Sequence, residues 1–118
     1  MKIKLSPLDK LFSKYIRLRD GVCQRCGGAK NLQCSHYHGR RKQSVRYDEE
    51  NCCSLCMGCH MYFTANPLEH TEFMIKRLGQ EKFDMLTHRS RPQKIDKNAL
   101  SLYYKNLIET EELKKWWE

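Results

Sequence analysis

No stretch of this chain approaches the ~18 consecutive apolar residues that a membrane span needs. Its opening, Met1-Lys2-Ile3-Lys4-Leu5-Ser6-Pro7, lacks the apolar centre of a secretory signal. These absences argue for a cytoplasmic chain that makes no membrane contact. There is no internal repeat and no low-complexity tract, which argues against collagenous and coiled-coil classes. Acidic residues are scarce: 14 Asp+Glu stand against 22 Lys+Arg, a formal charge of +8. That deficit points to a polyanionic partner, because basic side chains gain by releasing counterions from phosphates. The hydrophobic content of 40% is too high for a disordered chain. At 118 residues the chain is a single domain, and one short enough to profit from a staple beside its core.

What the chain does have is cysteine, seven in all. An odd count with no secretory signal does not describe a disulfide framework. Four of the seven form two C-x-x-C knuckles, Cys23/Cys26 and Cys56/Cys59. Two such knuckles supply four soft thiolates, the ligand set of a structural zinc ion. No βαβ pattern surrounds either knuckle, which separates them from a thioredoxin-like redox pair. Cys34, Cys52 and Cys53 read as packed thiols.

Local signals place the elements. Ser6-Pro7-Leu8-Asp9 opens a helix, with Ser6 as N-cap, and Leu8, Leu11, Phe12, Tyr15, Ile16 and Leu18 recur at helical spacing until Asp20-Gly21. Asn31 to His36 alternates as a short strand. His38 to Arg46 is a basic loop, and His60 to Phe63 is a short helix. Asn66-Pro67-Leu68-Glu69 starts the next helix, with Glu69 placed for a capping box, and Gly79 ends it. A shorter helix covers Gln80 to His88. Asp96 caps the last helix, whose apolar side carries Leu100, Tyr103, Tyr104, Leu107, Ile108 and Leu113. Its end, Trp116-Trp117, suits packing on the domain or a homodimer seam. His70 and His88 fall on helices and read as surface residues.

One string stands apart: Asn51-Cys52-Cys53-Ser54-Leu55-Cys56-Met57-Gly58-Cys59-His60, an N-x-x-x-L-C-x-x-C-H pattern with His36 upstream. The order His, Asn, His on a zinc knuckle resembles the HNH (His-Me finger, ββα-metal) endonucleases. Leu11 to Asp20, Ser35-His36-Tyr37-His38-Gly39-Arg40-Arg41, Arg46 to Asn51 and the segment from Asn66 to Gly79 are similar to phage NinG-type recombination proteins. The resemblance implies an α+β fold. In it a zinc-stapled ββα-metal core over 22–66 is flanked by an N-terminal helix over 1–21 and a helical extension over 67–118. It also implies a metal-dependent DNA endonuclease working in phage recombination or DNA processing.

The resemblance assigns roles. His36 is the general base, an imidazole able to take a proton from water near neutral pH. His60 is the ligand of a catalytic divalent cation, Mg²⁺ or Mn²⁺, aimed by the zinc knuckle before it. Asn51 holds the loop that carries the base, because one amide both donates and accepts. Ser35 stands where many relatives carry Asp, so His38 or Asp48 is left to complete the metal shell, and a swap of roles between His36 and His38 stays open. Arg40, Arg41, Lys42 and Arg46 beside the base are assigned to DNA backbone phosphates. Three competing readings remain. One is a non-catalytic zinc module that binds nucleic acid on a degenerate HNH scaffold. Another is an interaction domain with purely structural zinc. In the third, His60 is a fourth ligand in a three-cysteine zinc site.

Overall fold

The first helix is built as its caps dictate. Ser6 accepts from the Asp9 N–H while the Asp9 carboxylate accepts from the Ser6 N–H, a reciprocal capping box ahead of α1 (Pro7–Asp20). Gly21, at φ 74°, turns the chain out of the helix. A computed structural model describes residues 4–117. After α1 come β1 (Leu32–His36), two short 3-10 turns (Gln43–Val45 and Glu49–Asn51), β2 (Cys52–Cys56), α2 (Met57–Ala65), α3 (Pro67–Leu78), α4 (Gln80–Arg89) and α5 (Lys97–Trp117).

β1 and β2 pair antiparallel, with Cys34 opposite Ser54 and His36 opposite Cys52. Alternation along a strand then splits the hairpin into two working faces. Cys34 and Cys52 pack with Leu8, Phe12, Tyr15, Ile16, Tyr47, Tyr104 and Ile108, so this face meets α1 and α5. Cys53 and Leu55 pack with Cys23, Cys59 and Phe63 on the face that meets α2 and α3. A third cluster, Val45, Met74 and Leu86, ties the basic loop to α3 and α4.

Aromatic rings lock the α1–α5 side. Phe12 lies 4.9 Å from Tyr104 and 5.9 Å from Tyr47, both edge-on. The Tyr104 hydroxyl donates to the Tyr47 carbonyl. The α3 side is tied by Asp20, which accepts from the Ser54 N–H at 2.8 Å and meets Arg77 at 3.3 Å.

Three expectations need correction. The capping box at Asn66 does not form. The Asn66 amide donates to the Tyr62 carbonyl and the Glu69 carboxylate accepts from the Tyr62 hydroxyl, because α2 runs almost directly into α3. On α5 the buried stripe passes from Leu100 through Tyr104, Leu107 and Ile108. Leu113 lies off that stripe and is exposed, and Tyr103 stays at the surface with its hydroxyl on Glu49. The side chains of Trp116 and Trp117 lie outside the described residues, as do Met1, Lys2 and Ile3.

Candidate metal centre and catalytic cavity

The two knuckles meet. Cys23 and Cys26 sit in the loop after α1, Cys56 ends β2, and Cys59 lies in the first turn of α2. Their four sulfurs lie within 4.8 Å of one another, with those of Cys26 and Cys56 3.8 Å apart. None of them is in a disulfide. Backbone N–H groups of Cys26, Gly28 and Cys59 point at knuckle sulfurs at 3.4–3.5 Å, and the Arg25 guanidinium reaches Cys59 at 3.4 Å. Donors of this kind favour thiolate over thiol. Burial pushes the Cys23 thiol up, but the surrounding N–H groups outweigh it and bring it down to about 6. Cys59, crowded by three other thiols, is pushed up to about 12 by burial despite Arg25. A dication suits that conflict: four sulfurs this close hold their negative charge only around a positive ion. His60 is not among this group, so four cysteines alone make the cluster.

Beside the knuckles a cavity of about 470 Å³ opens, lined by Ser35, His36, Tyr37, His38, Lys42, His60, Phe63 and His70 among others. Each imidazole in it is held differently. His36, at the end of β1, has Nε2 2.9 Å from the Arg46 carbonyl oxygen. A carbonyl only accepts, so Nε2 carries the proton and Nδ1 carries the lone pair. Nδ1 is buried and has no partner. The ring stands 5.9 Å from Phe12. Burial, helped by the positive charge of Arg40, lowers His36 to about 4, so it is neutral at pH 7.

His60 follows Cys59 on α2. Its Nδ1 lies 2.7 Å from Gln33 Oε1, which leaves Nε2 as the free lone pair. A ring nitrogen oriented by an acceptor behind it is the usual arrangement of a metal-ligating histidine. Burial and then Arg40 lower its pKa. His38 has Nε2 buried without a partner, and burial followed by Lys42 lowers it. The buried Ser35 hydroxyl is also unpartnered. Orphaned acceptors around one polar cavity fit a cation.

Asn51 is fully buried. Its Oδ1 accepts from the His38 N–H at 2.8 Å, and its Nδ2 donates to the carbonyls of His38 at 2.9 Å and Val45 at 3.1 Å. The loop after β1 is thereby fastened to the 3-10 turn before β2.

Other assignments separate. Arg40 is half-buried and its charge is felt by both His36 and His60; Arg41 and Lys42 are exposed. Arg46 is not available to phosphates, contrary to expectation. It is 5% exposed, grips Asp9 at 2.7 and 2.8 Å, and also donates to the Lys4 carbonyl. Asp48 lies away from the cavity, paired with Arg89 at 2.8 Å and capping Glu50. His70 is not a bland surface residue. It stacks on Phe63 at 4.8 Å inside the cavity wall, and burial lowers it to about 4. Its helical spacing with Phe73 and Met74 could have placed it there. A second group also escaped sequence reasoning: donor atoms of Cys34, His36 and Cys52 lie within 4.8 Å of one another.

Residues 4–115 match the family described as Bacteriophage Lambda NinG protein. No curated protein and no solved structure matches the chain.

Proposed function

The chain belongs to the Bacteriophage Lambda NinG family, and from that premise we propose that it is an HNH-type, metal-dependent endonuclease. Its substrate is the DNA phosphodiester bond, cut in phage recombination or DNA processing. One observation carries this reading. His36 and His60 line the same cavity, each with one ring nitrogen tied to an acceptor and the other left with a free lone pair.

The residues divide the work. His36 takes the proton of the attacking water at Nδ1, while the Arg46 carbonyl holds the ring in the required tautomer. Its low pKa keeps it in the basic form at neutral pH. Asn51 holds the loop between the base and the basic residues. A divalent cation, Mg²⁺ or Mn²⁺, held with His60 would stabilise charge on the phosphoryl oxygens and supply a water to the leaving oxygen. Ser35 offers no carboxylate, so this chain's own ligands for a catalytic cation are imidazoles, His60 with His38 beside it. Arg40, Arg41 and Lys42 hold backbone phosphates, which implies recognition of backbone rather than of base sequence. The four-cysteine centre binds structural zinc and fixes the direction of His60.

The test is nicking of a supercoiled plasmid with Mg²⁺ or Mn²⁺. The wild type cuts, and His36→Ala lowers the rate by a factor of about 10² or more. Plasmid that is retained on a gel but not cut under any divalent metal overturns the enzyme and leaves a zinc module that binds nucleic acid. Ser35 is the residue that favours that second reading.

A further inference from the structure

The face of the hairpin that meets α1 and α5 carries its own donors. Register and alternation put Cys34, His36, Cys52 and Ser54 on it, Cys34 across from Ser54 and His36 across from Cys52. Cys34, Cys52 and Ser54 are all but inaccessible, at 5%, 1% and 0% exposure. Both cysteines are free. The two sulfurs and a ring nitrogen of His36 lie within 4.8 Å of one another. His36 Nδ1 and the Ser54 hydroxyl are both buried with no hydrogen-bond partner. A buried acceptor without a partner forfeits its hydration with nothing in return, so two on one small patch call for an occupant.

We propose that Cys34, His36 and Cys52 form a second zinc site, distinct from the four-cysteine centre, and that filling it withdraws His36 from the cavity chemistry. The donor set is two soft sulfurs and one imidazole, which zinc accepts readily. His36 is prepared for it, since Nε2–H is fixed on the Arg46 carbonyl and Nδ1 is left to coordinate. Charge also balances. Two thiols release two protons to solvent, and two thiolates with one Zn²⁺ sum to zero, the value that a dry site tolerates best. Monovalent copper in the same site would leave an uncompensated negative charge.

The second half of the proposal rests on the function proposed above. The nitrogen that would ligate zinc is the nitrogen that would take a proton from water, and one lone pair does not serve both. Zinc in this site therefore inhibits cutting, whereas zinc in the knuckles supports it.

Zinc content of the purified full chain tests the site. The protein is equilibrated with excess Zn²⁺, freed of unbound metal by gel filtration and analysed by elemental mass spectrometry. The wild type retains two zinc ions per chain, and Cys34→Ala and Cys52→Val each retain one with unchanged far-UV circular dichroism. A wild-type count of one overturns the site whether or not the variants fold, and a count of two that falls to one in His60→Ala but stays at two in Cys34→Ala puts the second ion in the cavity and overturns the site as well. Plasmid nicking in Mg²⁺ tests the coupling. The one-zinc wild type cuts at least tenfold faster than the two-zinc form, and added zinc does not slow Cys34→Ala in this way. Equal cutting by the one-zinc and two-zinc forms overturns the coupling. A one-zinc form that never cuts DNA sinks the nuclease reading instead, while the zinc count still decides the site.

Discussion

Asn51 and His38 are joined by a two-way amide clamp: the side chain of one accepts from the N–H and donates to the carbonyl of the other, at 2.8 and 2.9 Å. Asn51→Ala leaves the His38 N–H and carbonyl without these partners and removes one of two donors to the Val45 carbonyl, which keeps the Asp48 N–H. A loss of about 3 kcal/mol in urea unfolding is expected. Asn51→Asp keeps the acceptor and places a carboxylate against two carbonyls, so it is expected to be no better. Variants that unfold at wild-type urea concentrations would show that the clamp is not needed.

The Asp9–Arg46 pair makes a pH-dependent contribution. Burial raises the Asp9 carboxyl, but Arg46 and Ser6 outweigh it and bring it from 3.8 to about 2. The unfolded chain therefore takes up this proton first as pH falls. The contribution is fully present above pH 4 and is lost towards pH 2, about 2 kcal/mol in all. Asp9→Asn leaves a buried guanidinium facing a neutral amide and is expected to cost about 3–5 kcal/mol at pH 7. Thermal unfolding from pH 7 to pH 2 checks both points, and the acid-side slope should be shallower in the variant.

Cys56→Ala removes one of the four sulfurs proposed to hold zinc, at the junction of β2 and α2. Structural zinc contributes on the order of 10 kcal/mol to folding, comparable with the whole stability of a small domain. The variant is expected to lose its knuckle zinc and most of its helical circular dichroism. A folded variant with full metal content would contradict the four-cysteine centre.

Lys42 is exposed at the cavity mouth, whereas Arg46 is sealed in its ion pair. Lys42→Ala is expected to weaken DNA binding about equally for all sequences and to reduce the slope of log affinity against log salt by about 1. Fluorescence anisotropy across a salt series measures that slope, and an unchanged slope removes Lys42 from the phosphate contacts.

Much of this was legible in the residues. Ser6, Pro7, Asp9 and Gly21 define α1 because caps are local chemistry, read from neighbours in sequence. The knuckle spacing likewise announces one four-sulfur cluster. What escaped depends on partners far along the chain. Arg46 looks like its basic neighbours until Asp9, 37 residues away, closes on it. Cys34 and Cys52 read as packing residues until the strand register sets them on one face with His36. The Asn66 box failed because Tyr62, from the preceding helix, took both of its side chains.

The wall behind His36 is made by Phe12 from α1, and Phe12 in turn leans on Tyr104 from α5. A minimal peptide running from the first knuckle through the second histidine would keep all four knuckle sulfurs, Asn51 and the imidazoles of the motif. It would still leave that ring open to water from the rear, free to swing and to charge at a milder acidity. The flanking helices therefore belong to the proposed reaction centre as its backing, and excising the motif as a portable cassette would sacrifice the very environment that tunes it.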